Sequence, residues 1–285
     1  MKRINNLLVP VDFKEDNTQV LRIAAQISKY SDARITMLHV YSRPLIRTTK
    51  FIMDKGWLEK VEKFQLLKLE RKIRNSLRTL YQTVPELRNC HVQFETRKGI
   101  IVKNIVKASK EFRADLVLMG TRGSSMNHRK NTRSAKVSLR IHTPVLVVPV
   151  AEAFELPSKI AFAYDLHAIP DFKQLDIIKV LGETFKAEIH LINLSTSTHG
   201  LTKNERDNLA SLKAYFADFK PAVYFVSKAH VGPGISKYIW QNDISIIAVL
   251  HRSRNAVKRL FHKSLTKRLA LHSSIPVLAL DGSKV

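Results

Sequence analysis

One cysteine, Cys90, stands in 285 residues, which excludes an intramolecular disulfide. With no neighbouring Cys/His pattern it also argues against a thiolate metal or redox site, and a buried, inert thiol is the expectation. Glycine (9) and proline (10) are scarce, and no polar or repetitive tract interrupts the chain, so nearly the whole length is expected to fold. No apolar run approaches the roughly 18 residues of a spanning helix. Met1-Lys2-Arg3-Ile4 begins as a signal peptide does, but Leu7-Leu8-Val9 stops at Pro10 and Asp12, too early for a membrane-inserting core. A soluble, cytosolic chain without membrane insertion is expected. The sequence also lacks a Gly-x-Ser-x-Gly elbow, a Walker-type lysine loop and paired carboxylates on one element, so hydrolase or kinase chemistry has no visible machinery. None of the eleven histidines forms an i, i+4 pair around a Glu, and no metal site or catalytic residue is expected.

Acidic residues are in short supply too. Against 48 Lys/Arg there are 24 Asp/Glu, a net charge of +24 with a pI near 10.2. Divided at Val150, the first part carries 30 Lys/Arg against 12 Asp/Glu (+18) and the second 18 against 12 (+6). Such an excess attracts polyanions, including nucleic acid, anionic lipid and nucleotide phosphates, through the long-range field. The plainer alternative is a solvated basic surface that keeps the chain soluble, because the charges are scattered rather than blocked.

What is present is a 45% apolar chain patterned as alternating strands and helices. Leu7 to Asp12 is an apolar run ending in an acid, the pattern of a buried parallel strand leading into a loop. Val20, Leu21, Ala24, Ala25 and Ile27 follow at helical spacing, then the strand Ile35 to Val40. A long helical stretch runs from about 51 to 81, as one helix or two, interrupted near Pro85. The strand His91 to Thr96, a helix opened by Gly99 and carried through Phe112, the strand Asp115 to Met119, a helix from Ser134 to Ile141 and the strand Pro144 to Val148 complete the first half.

The second half repeats this order. Lys159 to Asp165 answers the first strand and puts Asp165 where Asp12 stood. Ile189 to Leu194 answers Ile35 to Val40. Ala222 to Ser227, followed by a helix from Gly232 through Trp240, answers His91 to Phe112, while Asp243 to Val249 and Pro276 to Leu280 answer the last two strands. The expectation is an α/β fold of two tandem doubly wound domains, each with a five-stranded, mainly parallel sheet and flanking helices. The boundaries are 1–150 and 158–285, with 151–157 as linker.

In a doubly wound sheet ligands sit beyond the carboxyl ends of the strands, at the point where crossovers leave to opposite faces. If the first and fourth strands are neighbours there, Asp12 and Gly120 share a crevice. Gly120-Thr-Arg-Gly123 then permits close backbone approach to phosphate oxygens.

Leu-Val-Pro-Val-Asp-Phe at 8–13, Met-Leu-His-Val at 37–40, Met119-Gly-Thr-Arg-Gly123 and Thr143-Pro-Val-Leu-Val-Val-Pro149 together resemble the universal stress protein family. The resemblance covers about residues 4–150 clearly and 158–281 more faintly. It implies the strand order 3-2-1-4-5 in each sheet and a non-enzymatic nucleotide-responsive stress protein, with at most slow incidental ATP hydrolysis. In ATP-binding members a loop patterned Gly, two residues, Gly, nine residues, Gly, then Ser or Thr holds the phosphates. An Asp after the first strand and the backbone at the end of the second hold the adenosine. Carried over, Gly120, Gly123, Ser134 and Asp12 match and Val40 takes the backbone role, with Val11, Met119, Arg122 and Ala135 alongside them. The third glycine is replaced by Arg133, which either obstructs the phosphate bed or adds a cation to it. The resemblance implies ATP, with Mg²⁺ alongside, as cofactor of the first domain, and none for the second, where Leu250 to Ala256 has no glycine although Thr266 stands opposite Ser134.

The family also dimerises through its last strand, an apolar sheet edge. Here the two halves are expected to make that pairing within one chain, with a homodimer of whole chains allowed but not demanded. His39 and His190 read as matching strand positions with a repeated structural role. His128 in the basic loop is a phosphate contact, and His142 and His272 are cations near helix carboxyl ends. The rival function is an ATP-independent stress protein whose basic surface binds nucleic acid or another polyanion. Against it stand the lack of aromatic-basic interleaving and of a reading helix.

Overall fold

The computed structural model describes residues 3–42, 55–121, 133–138, 140–149, 155–164, 166, 171–195, 200–227, 231–251 and 275–281. The first half runs β1 (Asn6–Pro10), α1 (Thr18–Ser31), β2 (Arg34–Tyr41), α2 (Lys55–Gln82), β3 (Val92–Lys98), α3 (Ile101–Glu111), β4 (Leu116–Thr121), α4 (Arg133–Ser138) and β5 (Val145–Pro149). The second runs β6 (Lys159–Tyr164), α5 (Asp176–Phe185), β7 (Glu188–Ser195), α6 (Lys203–Tyr215), β8 (Ala222–Ser227), α7 (Val231–Gln241), β9 (Ile246–His251) and β10 (Val277–Asp281).

All ten strands form one sheet in the order β3-β2-β1-β4-β5-β10-β9-β6-β7-β8. Each half therefore has the 3-2-1-4-5 order expected, parallel throughout. The halves meet where β5 and β10 pair antiparallel, Leu146 opposite Leu278. Every residue of β5 is buried, as befits a strand covered on both faces. One face of the sheet carries a single apolar cluster shared by both halves, into which α1, α2, α5 and α6 send Leu21, Leu77, Leu181 and Leu212. The other face divides. Ile105 of α3 and Val137 of α4 pack on the first half, while Ile235 and Tyr238 of α7 pack on the second.

Several boundaries differ from expectation for local reasons. The stretch from 51 to 81 gives one long helix over its described part, α2, ended before a 3-10 turn at Pro85–Leu87. The strand expected from Asp115 begins at Leu116 and runs through Gly120. Asp115 instead turns its carboxylate onto the amides of Asn5 and Asn6, at 2.8 and 3.1 Å, and pins the start of β1. Asp243 is likewise outside β9. It sits at φ 52° while the Ile244 amide closes α7 on the Ile239 carbonyl, the left-handed ending common at helix carboxyl termini. The described part of the helix expected from Ser134 to Ile141 is Arg133–Ser138, and Ile141 lies outside it. Cys90 is half-buried rather than buried.

Candidate functional site

The strand order places the first half's switch point between β1 and β4, where α1 and α2 lie on one face and α3 and α4 on the other. β1 and β4 are hydrogen-bonded parallel neighbours, Leu7 beside Leu116 and Leu8 beside Val117, so Asp12 and Gly120 reach the same carboxyl-end crevice. A Cβ on Gly120 would meet the Asp16 carbonyl at 3.9 Å and Val20 Cγ1 at 4.0 Å. The protein's own packing therefore does not require the glycine: a Cβ there would make only ordinary contacts with the loop and first turn between β1 and α1.

That loop is tied down by its own polar atoms. The Asp12 carbonyl accepts from the Glu15 amide at 2.9 Å and from Asn17 Nδ2 at 2.9 Å, while the same Asn17 amide group donates to Glu15 at 2.8 Å. The Asp12 carboxylate accepts the Lys14 amide through Oδ1 at 3.0 Å and the Arg133 guanidinium through Oδ2. Partial burial works to raise the Asp12 pKa, but the Lys14 amide, Arg133 and the nearby His39 outweigh it and hold the carboxyl below its ordinary value.

The other expected residues fall around this centre. Val11 follows β1 directly. Its amide donates to the Leu38 carbonyl at 2.8 Å, and its own carbonyl accepts from His39 Nδ1 at 2.9 Å. Val40 lies one residue from the end of β2, and Met119 is buried in β4 beside Val147. Ser134 is buried in the first turn of α4, its carbonyl accepting the Ser138 hydroxyl at 2.9 Å, and Ala135 follows it in that helix. Arg122, Gly123 and His128 of the loop lie outside the described residues, as do Asp165, Thr266 and His272 of the second half. Among the described residues no three His, Cys, Asp or Glu side chains are grouped to hold a metal ion, and no helix is long and apolar enough to cross a membrane.

Sequence reasoning gave no role to Phe13, which stacks on His39 with ring centroids 4.4 Å apart, nor to Asn17, which shapes the loop. The pairing of Asp12 with Arg133 was also missed, because 121 residues separate the two.

Two histidine readings are corrected. With Leu7 and Ile160 equivalent, the registers Leu7–Ile35 and Ile160–Ile189 make Asn193, not His190, the counterpart of His39. His190 is instead buried and hydrogen-bonded to Tyr238 Oη at 2.8 Å. His142 does not serve a helix end. It pairs with Asp281 across the β5–β10 seam.

A family model described as the universal stress protein family matches residues 3–149. The fold is shared with a universal stress protein from Archaeoglobus fulgidus DSM 4304, at a TM-score of 0.70 and 19% identity over 99% of this chain and 98% of that one. A functionally unknown Pseudomonas aeruginosa PAO1 protein is similar at a TM-score of 0.60 and 13% identity, over 98% and 93%. No curated protein matches the chain.

Proposed function

Since the chain belongs to the universal stress protein family, we propose that its first half is an adenine-nucleotide-responsive binding module, not an enzyme, in which Arg133 holds the site closed until nucleotide displaces it. The observation that carries this reading is the ion pair between Arg133 and Asp12. Arg133 stands where the third loop glycine belongs, and it occupies the carboxylate that the resemblance assigns to adenosine.

The residues present otherwise fit the group. Gly120 presents a backbone without a side chain at the crevice, Ser134 sits at the start of α4, and Val40 stands near the end of β2. When bound, ATP would take the Asp12 carboxylate from the guanidinium and release the guanidinium to solvent. The Arg133 side chain is 52% exposed and so is free to change partner, and an exposed pair of this kind is held by only about 0.2–1 kcal/mol. Asp12 then orients the nucleotide instead of acting as a base, and Mg²⁺ accompanies the phosphates. The second half, read as a domain over 158–285, is structural in this proposal.

The test is to denature freshly purified protein, assay the supernatant for released nucleotide, and titrate the emptied protein with ATP by calorimetry beside Gly120→Arg. Binding that disappears in Gly120→Arg supports the reading. Parent protein that neither carries nor takes up ATP overturns it.

A further inference from the structure

Past the exposed Glu59, helix α2 turns its acids inward and its cations outward over residues 60–78. Between residues 60 and 78 it has seven Lys/Arg and two Glu. Both glutamates are half-buried and engaged, Glu70 accepting from Tyr41 Oη at 2.5 Å and Glu62 facing Lys98 Nζ at 3.9 Å. Leu66, Leu69, Ile73 and Leu77 fasten the opposite face to the core. Lys60, Phe64, Leu67, Arg71, Arg74 and Arg78, spaced by fours and threes, therefore form one exposed ridge, about 27 Å long at 1.5 Å per residue. Lys63, Lys68 and Lys72 flank it. Among the described residues none of these cations pairs with a carboxylate. Phe64 and Leu67 are 58% and 57% exposed, and Lys68 Nζ lies 4.4 Å over the Phe64 ring. A shallow groove of about 610 Å³ beside the ridge is bordered by Lys68, Arg71 and Lys72.

We infer that this face of α2 is a peripheral docking surface for an anionic lipid bilayer, its arginines and lysines on headgroup phosphates and Phe64 and Leu67 entering the headgroup boundary. Charge complementarity demands a polyanion, because clusters of this size on one helix face are drawn to anionic headgroups. The two apolar side chains select the bilayer. A nucleic-acid backbone gives Leu67 nothing to bury against, and a convex ridge does not embrace a duplex, whereas the headgroup layer offers phosphate and hydrocarbon within one side chain's reach.

The experiment is flotation of the full chain with phosphatidylcholine vesicles, with and without phosphatidylglycerol. Circular dichroism of each variant checks the fold, which substitutions at these exposed positions should leave intact. The parent floats only with the anionic vesicles. Arg71→Gln/Arg74→Gln/Arg78→Gln weakens binding about a hundredfold, and Phe64→Ser/Leu67→Ser about tenfold. The charge-matched Lys103→Gln/Lys107→Gln/Lys110→Gln on α3 binds as the parent does. Equal loss in the lysine triple would make net charge the cause and overturn the proposal. So would undiminished binding by the Phe64/Leu67 double variant, flotation with neutral vesicles, or absence of vesicle binding alongside duplex DNA or RNA binding that the double variant keeps.

Discussion

The guanidinium of Arg133, first residue of α4, donates to the carboxylate of Asp12 beyond the end of β1. A side chain delivered from 121 residues further along the chain thus occupies the acid at the carboxyl end of β1. If this pair competes with nucleotide, Arg133→Gly removes the competitor and restores a loop glycine, and ATP affinity rises by up to about fivefold, the equivalent of the upper range for an exposed ion pair. A fall in affinity would instead make Arg133 a phosphate ligand. The Asp12 carboxyl, now held low, moves upward in Arg133→Gly in an NMR titration without ATP. The sign for the parent follows from that depressed pKa. The stabilisation is present above the ordinary carboxylate range and is lost as pH falls through the folded value, so the closed form persists at neutral pH and opens in acid.

A second prediction concerns the corresponding strand ends of the other half. Tyr164 and Asn193 are register partners on β6 and β7. Among the described residues the Tyr164 hydroxyl and both polar atoms of the Asn193 amide are buried without a hydrogen-bond partner, and burial pushes the Tyr164 phenol well above its usual pKa. An unsatisfied buried hydroxyl costs about 1–3 kcal/mol. Tyr164→Phe, which keeps the ring stacked on Phe162 at 5.5 Å, is expected to raise stability by about 1 kcal/mol in urea unfolding. A loss of that size would show that the hydroxyl is satisfied.

His190 gives a pH signature of its own. Burial lowers its pKa and Lys159 adds to the effect, while Glu188, 3.6 Å from Nε2, opposes it. The folded chain therefore takes up the proton less readily than the unfolded one. The stability contributed by neutral His190 is complete above its ordinary pKa and is lost as pH falls through the folded value. The melting temperature should therefore fall as pH drops below the ordinary imidazole range, and comparison with a His190 variant separates this contribution from that of the other ten histidines. His190→Phe should flatten that fall while sacrificing the Tyr238 hydrogen bond, worth about 1 kcal/mol at neutral pH.

The alternation of strands and helices, repeated in the second half, was readable because its signals are local: apolar runs ending in an acid, and final strands opened by Pro144 and Pro276. Which strands lie side by side, and with it the meeting of Asp12 with Gly120, is a long-range fact that only the family resemblance supplied. Helix α6 was readable and passed over. Thr202-Lys-Asn-Glu205 is a capping box, with the Thr202 hydroxyl accepting the Glu205 amide and Glu205 reaching back to the Thr202 amide, but the polar stretch after it lacks a strong apolar period. Other features depend on the assembled molecule. His39 and His190 look equivalent until the register assigns Asn193 to His39. The Arg133–Asp12 contact depends on where a distant helix delivers a flexible side chain.

The seam between the halves sets the last expectation. β5 and β10 pair antiparallel through Leu146 and Leu278, both fully buried, and one apolar cluster runs beneath both halves, with α1 packed near α5 and Tyr30 Oη donating to Glu183 at 3.2 Å. A core continuous across the seam couples the two halves, so neither should melt without exposing the other's inner face. Leu278→Ala leaves a cavity where the strands meet and should cost about 2–5 kcal/mol. If the halves are coupled, that cost appears as a downward shift of a single calorimetric transition, coincident by fluorescence and circular dichroism. Two separated transitions, with only the lower displaced, would make the halves independent domains that merely share an edge.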